Sequence, residues 1–300
     1  MDESIIECYR KAGETARRAL KLAYDIVSPA RRIKLLDLCD RIEKYVLHSG
    51  AKLPFPCNIS LNEVAAHDTP LYEKEIIFDK GLFKIDVGAM VDGYIADNAI
   101  TIARGYEYES ISKINEEILN EIIPMFRPGM SLGYIGKYVE LEASRHNYKP
   151  ISNLTGHLID RYRLHAGKSV PNVSAIFAHK INEFEVYAVE PFLTFKEGEG
   201  KVVEKGNTKI FSLIKVKKIK DKRLNELKNY IYGNYKLLPF TPRWLYDKYG
   251  DETSDLVYSL VKIKYLRKYP VLVEKKHKYV SQFEHTIIVT ESEPIIITKQ

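Results

Sequence analysis

Cysteine is scarce in this chain: three residues in 300, Cys8, Cys39 and Cys57, widely spaced and never in a paired motif. That excludes a disulfide framework and a thiolate metal site. Long apolar runs are missing too. No stretch approaches the roughly 18 consecutive apolar residues of a membrane span. The amino-terminal MDESIIECYRKAGETARRALKLAYDIV opens acidic and with helical periodicity, without the basic start and apolar core of a secretion signal. Neither sign of charge dominates, since 46 Lys and Arg stand against 40 Asp and Glu for a net +6. With 45% hydrophobic and 29% charged residues, the composition predicts a globular cytoplasmic enzyme or binding protein with a sizeable core and no membrane contact.

The small excess of positive charge is concentrated. Residues 209–269 hold 15 basic and 6 acidic residues, leaving 31 basic and 34 acidic for the remainder. This interval also breaks the rhythm of the chain. Before it, helical patterns over 2–26 and 30–48 lead into the turn-rich KLPFPCNIS and a hairpin. Then ESISKINEEILNEIIPMF and SLGYIGKYVELEASRHN read as a second helix pair, split by Arg127-Pro128-Gly129 with Ser131 placed to cap. Short strands follow in NLTGHLIDRYRLHAG, EVYAVEPFLTF, KYVSQFEHTIIVTE and EPIIIT. Helix pair then strands, twice, predicts an α+β fold with an internal pseudo-repeat, helices covering one face of a curved antiparallel sheet. The body comprises residues 1–208 and 270–300, and 209–269 is an inserted, basic, mostly helical subdomain.

Within FKIDVGAMVDGYIADNAITI, two aspartates interrupt a nearly continuous apolar run. Asp92-Gly93 is the dipeptide preferred where both central residues of a hairpin turn need positive φ. That turn sets Val91 opposite Tyr94 and residue 86 opposite 99. Asp97 then lies diagonally from Asp86 on the same face, about 7–8 Å away. Two like charges on a half-buried sheet repel unless a cation lies between them. For a lone pair a solvated edge is the favoured explanation, but three more polar residues occupy strand-like contexts: His157 in NLTGHLID, Glu190 in YAVEPF and Glu284 in VSQFEHTIIV. Four carboxylates and one imidazole form an oxygen-rich ligand set suited to paired divalent Mn, Fe, Co or Zn. Two such ions about 3.5–4 Å apart hold a shared water, acidify it and polarise a carbonyl, which is the chemistry of metal-assisted hydrolysis.

These segments, FKIDVGAMVDGYIADNAITI, NLTGHLIDRYRLHAG, AVEPF and QFEHTIIV, resemble the motifs of the methionine aminopeptidases, in particular the type 2 branch, over nearly the whole chain. The resemblance implies a pita-bread fold, two divalent ions per chain and removal of the initiator methionine from nascent polypeptides, with a small second residue preferred. It assigns Asp86 to one ion, Asp97 and Glu284 to a bridge, and His157 with Glu190 to the other ion, with Glu190 also shuttling a proton from the attacking hydroxide. His67 in AAHDTP and His165 in RLHAG would contact the scissile peptide, and Phe55 and Tyr269 would enclose the methionine side chain. Glu284 follows Glu190 by 94 positions, which leaves room for the insert of the type 2 branch. One departure is that KIFSLIKV lacks the further substrate-site histidine of the type 2 enzymes of higher organisms. The expected state is a monomer, with the basic insert available to ribosomal RNA. Two competing readings share the fold: a prolidase or Xaa-Pro aminopeptidase, and a non-catalytic ribosome- or RNA-binding factor.

Overall fold

The computed structural model describes residues 1–299. Helix α1 (Glu3–Val27) buries Tyr9, Ala12, Ala16, Ala19, Leu20, Ala23 and Val27, a stripe at i, i+3 and i+4 spacing. Its alanines let the helix lie close on strands Gly81–Val91 and Tyr94–Arg104, the two arms of the hairpin. Helix α2 (Leu35–His48) starts later than the periodicity predicts, because Arg32–Lys34 pairs as a short strand with Glu75–Ile77. The carboxylate of Glu73 then accepts from the Leu36 and Asp37 amides at 3.3 Å, doing the work of a local cap from a distant segment.

The hairpin follows the expected register. Asp92 and Gly93 have φ of 50° and 90°, and Val91 faces Tyr94, Asp86 faces Ala99 and Gly88 faces Asp97. The third strand, Asn58–Leu61, pairs Asn58 with Asp86. Helices α3 (Tyr106–Ile122) and α4 (Leu132–Arg145) cover the second half. Ser131 stands at the N-cap of α4 with an extended backbone, yet its hydroxyl makes no capping bond; the Leu132 amide donates to the His179 carbonyl instead. Beneath these helices lies an antiparallel sheet in the order Ile295–Ile296, His285–Ile288, Val186–Val189, Thr155–Ile159 and Ser169–Pro171. The two halves join where Ala99 bridges Glu284; one buried apolar cluster lies under α1 and α2 and takes in Val186, Ala188 and Ile288 of the second half, and another lies under α3 and α4.

The interval 209–269 adds a small sheet to the helices its sequence implies. Helices α5 (Lys222–Tyr235), α6 (Tyr246–Tyr249) and α7 (Thr253–Lys262) accompany a three-stranded antiparallel sheet, Ile210–Leu213 between Pro239–Phe240 and Leu266–Tyr269. The physical reason is closure. Pairing Ile210 with Tyr269 ties the two ends of the interval together, and the apolar run Ile210, Phe211 and Leu213 is buried on both sides. A cluster around Phe211, Leu227, Ile231, Phe240 and Leu260 packs within the interval. Its first apparent basic–apolar alternation, residues 214–220, is irregular, and the buried Lys228 holds it by donating to the Val216 and Lys217 carbonyls. No helix among the described residues is long and apolar enough to cross a membrane.

Candidate metal centre

Strand pairing carries the candidate ligands into one row. Asp86 lies opposite Ala99, and Ala99 bridges Glu284 on its other side, so two carboxylates flank a single methyl group. Asp97 stands two residues along on the same face. From the second half, His157 pairs with Ala188, and Glu190 follows the end of the same strand, Val186–Val189, where Pro191 stops further pairing. All five face a cavity of about 320 Å³ that His67, His165, Phe55 and Tyr269 also line. The nine residues singled out by their sequence context thus share one space.

Their separations fall into two groups. Ligand atoms of Asp97, His157 and Glu284 lie within 4.8 Å of one another. His157 Nε2 is 3.6 Å from Asp97 Oδ2 and 3.7 Å from Glu190 Oε1. Asp86 and Glu190 belong to the cavity but not to the tight triplet. The buried Asp86 Oδ1, Asp97 Oδ1, Glu284 Oε1 and His157 Nδ1 have no hydrogen-bond partner within the protein. Buried oxygens left open cost free energy. None of the described lining residues is Lys or Arg, so no side-chain cation answers the four carboxylates. The donor set, oxygen-rich with one imidazole, fits hard divalent ions.

The electrostatics agree with that fit. Burial, opposed in part by the Gln282 amide, pushes the Asp86 carboxyl up to about 7. Burial first, then repulsion from Asp86 and Glu190, raises Asp97 well above the carboxylate range. Glu190 and Glu284 move the same way, for burial and then for their carboxylate neighbours. The imidazoles go down. His157 is depressed by burial and then by His165, and His165 falls to about 4 through burial, His67 and Arg267. Burial also lowers His67, against the Pro270 carbonyl 3.2 Å from its Nδ1. The histidines around the cavity are thus neutral near pH 7.

Positions beyond the nine hold this arrangement, and the sequence reading missed them. Thr286 Oγ1 accepts from the Asp97 amide and donates to the Asp97 carbonyl, both at 2.7 Å. Gln282 Nε2 donates to Glu190 Oε2 at 3.3 Å, and Asn172 Nδ2 to the Glu190 carbonyl at 3.4 Å. Gln282 and Thr286 sit two residues either side of Glu284, so period-two alternation was the available signal. Gly88 has a steric role. A Cβ there would fall 2.5 Å from Pro54 Cγ and 2.6 Å from Phe55 Cε1, so only glycine lets Phe55 close over the Asp97 face. His67 has a φ of 63°, a backbone strain borne by a residue that lines the cavity.

A buried, oxygen-rich cavity between two helix-covered halves suits a metal-dependent hydrolase of pita-bread architecture. Residues 7–291 match metallopeptidase family M24, and the chain belongs to that family. A methionine aminopeptidase of Saccharolobus solfataricus is 41% identical to it over 294 residues, 96% of each chain. The protein is thus a metallo-aminopeptidase of the archaeal kind. In shape it is similar to a methionine aminopeptidase of Thermotoga maritima, with a TM-score of 0.73 at 19% identity over 100% of this chain and 98% of that one. It is also similar to a thermophilic Arx1, with a TM-score of 0.86 at 17% identity over 99% and 91%. At such identities these two likenesses concern the fold alone.

Proposed function

We propose that the protein removes the initiator methionine from nascent polypeptides, using two divalent ions held by Asp86, Asp97, His157, Glu190 and Glu284. The observation that carries the reading is the row of unpartnered buried carboxylate oxygens facing a cavity with no Lys or Arg among its described lining residues. Bound divalent ions would supply positive charge to polarise a peptide carbonyl and to acidify water. The chain's own groups do the rest. Glu190, whose carboxyl is raised by burial and by Asp86, takes the proton of the attacking water and returns it to the leaving amine. His67 and His165, kept neutral, contact the scissile peptide and its leaving side: His67, with its Nδ1–H on the Pro270 carbonyl, offers Nε2 as an acceptor, and His165 donates. Phe55, Ile210, Leu272 and the Tyr269 ring form an apolar wall suited to an unbranched thioether. His67 meets Tyr269 edge-on at 5.6 Å and His165 stacks on it at 6.4 Å, which narrows the space for a bulky second residue.

Incubating metal-loaded protein with Met-Ala-Ser, Met-Leu-Ser and Ala-Pro peptides tests this. Methionine is expected from the first, with release from the second about 100-fold slower or more. Cleavage of the proline peptide alone would favour the Xaa-Pro reading, and no cleavage with Mn, Fe, Co or Zn would favour a non-catalytic protein.

A second reading concerns residues 209–269, which we propose as a subdomain whose basic edge meets ribosomal RNA. Lys215, Lys217, Lys218 and Lys220 are exposed along one irregular stretch, and the exposed Lys222 opens α5 just after it. Co-sedimentation with ribosomes is expected at 50 mM salt and to fall by about tenfold or more at 200 mM, because phosphate contacts release counterions. No binding at the lower salt would refute it.

A further inference from the structure

Arg243, on the short 3-10 turn Pro242–Leu245, makes the densest set of polar contacts outside the metal centre. Its Nη1 and Nη2 donate to Glu43 Oε2 and Oε1 at 2.9 and 2.8 Å, the fork geometry that only arginine offers. Nη1 also reaches Asp40 at 3.0 Å, Nη2 the Cys39 sulfur at 3.2 Å, and Nε the Pro70 carbonyl at 3.1 Å. The Arg243 and Glu43 side chains are 11% and 6% exposed, so this is an interior pair rather than a surface one. Trp244 Nε1 adds a bond to Glu43 Oε2 at 2.9 Å.

What these contacts reach is more informative than their number. Glu43 Oε1 accepts the Cys57 amide at 3.1 Å, so α2 holds the segment that carries Phe55 and Asn58. The Pro70 carbonyl belongs to the loop that begins at His67, whose Asp68 also pairs with Lys209 at 2.5 Å. Four residues before Arg243, Pro239 pairs with Ser212 in the small sheet that ends at Tyr269. Phe55, His67, Pro239 and Tyr269 all line the cavity. One guanidinium therefore ties together three chain segments, from three separate parts of the sequence, that each present a wall to the substrate.

We infer that Arg243 is a positioning residue for the substrate cavity: through Glu43, the Pro70 carbonyl and its own turn it sets the distance between the Phe55, His67 and Tyr269 walls. It touches neither substrate nor metal ligands. The inference rests on the proposed function for its substrate, but its structural content can be measured separately.

Two variants test it in the metal-loaded protein, Arg243→Met and the milder Arg243→Lys, which keeps the charge and loses the fork. With Arg243→Met, KM for Met-Ala-Ser is expected to rise about tenfold while kcat stays within about twofold, the signature of lost uniform binding rather than lost chemistry. Amide hydrogen exchange is expected to quicken in residues 54–58, 67–72 and 209–213, and to stay unchanged in the hairpin, 81–104. Arg243→Lys should show the same pattern at smaller amplitude. An unchanged KM in a folded variant would overturn the inference, as would faster exchange confined to 242–246. Should Arg243→Met fail to fold, the KM and exchange pattern of Arg243→Lys decide by the same criteria. If the unsubstituted protein releases no methionine, the functional reading fails, while the exchange pattern still decides whether Arg243 joins the three walls.

Discussion

Asp97→Asn is expected to release methionine from Met-Ala-Ser at least about 10³-fold more slowly than the unsubstituted protein, with its defect in kcat rather than KM. Asp97 is the member of the ligand set whose surroundings leave it fewest alternatives. It lies within 4.8 Å of both His157 and Glu284, its Oδ1 is buried without a partner, and Thr286 grips its backbone on both sides. The amide of asparagine keeps the shape and removes the charge. The same change should raise the melting temperature of the metal-free protein, because burial first, and then Asp86 and Glu190, oppose a charge on Asp97 there. A side chain that costs stability while serving chemistry is expected at a functional site. Differential scanning calorimetry with and without chelator reads the stability arm, and retention of activity in the variant would contradict the assignment.

The second large effect is a pH dependence that metal abolishes. In the metal-free protein Asp86 is pushed up to about 7, chiefly by burial. Unfolded, an aspartate titrates near about 3.9. Between these values the folded state holds a proton that the unfolded state has lost, so stability falls as pH rises. Asp97, Glu190 and Glu284 add to the fall in the same sense. The histidines oppose it at lower pH. His165 is held down to about 4, so only the unfolded chain takes up its proton as pH drops below about 6.5. That contribution is half spent at about 6.5 and fades above it; the buried Lys84, lowered to about 7, adds an opposing rise above that pH, and the carboxylates outweigh it by number. The melting temperature without metal is therefore expected to fall from pH 6.5 to 8.5. Divalent metal should reverse the trend by stabilising the ionised carboxylates, adding about 4 kcal/mol at a free concentration 1,000 times Kd. Equal slopes with and without metal would show that these carboxylates do not share a cation.

Much of this centre was legible in the sequence because its first half is local. A two-residue turn at Asp92-Gly93 fixes the register, and a period of two then sets Asp86 and Asp97 on one face without reference to the rest of the chain. The repeated order of helix pair and strands was legible for a similar reason, since each helix carries its own apolar stripe. Other features depend on partners far along the chain. Arg32–Lys34 reads as the start of a helix until Glu75–Ile77 arrives to pair with it. Leu266–Tyr269 becomes a strand by meeting Ile210–Leu213, across a segment otherwise helical or irregular. The bond between Glu43 and Arg243 spans 200 residues, and no local pattern announces it. Gln282 and Thr286 lay in plain view beside Glu284, but polar residues on a strand acquire a supporting role only when their neighbours across the sheet are known.

Five side chains from both halves of the chain are proposed to hold two divalent ions, and titration calorimetry of the metal-free protein with Mn counts those ions. Close to two ions per chain are expected, with proton release on binding because raised carboxyls must ionise, and with loss of at least one ion in Asp97→Asn. Absence of binding, or the same stoichiometry in Asp97→Asn as in the unsubstituted protein, would contradict it.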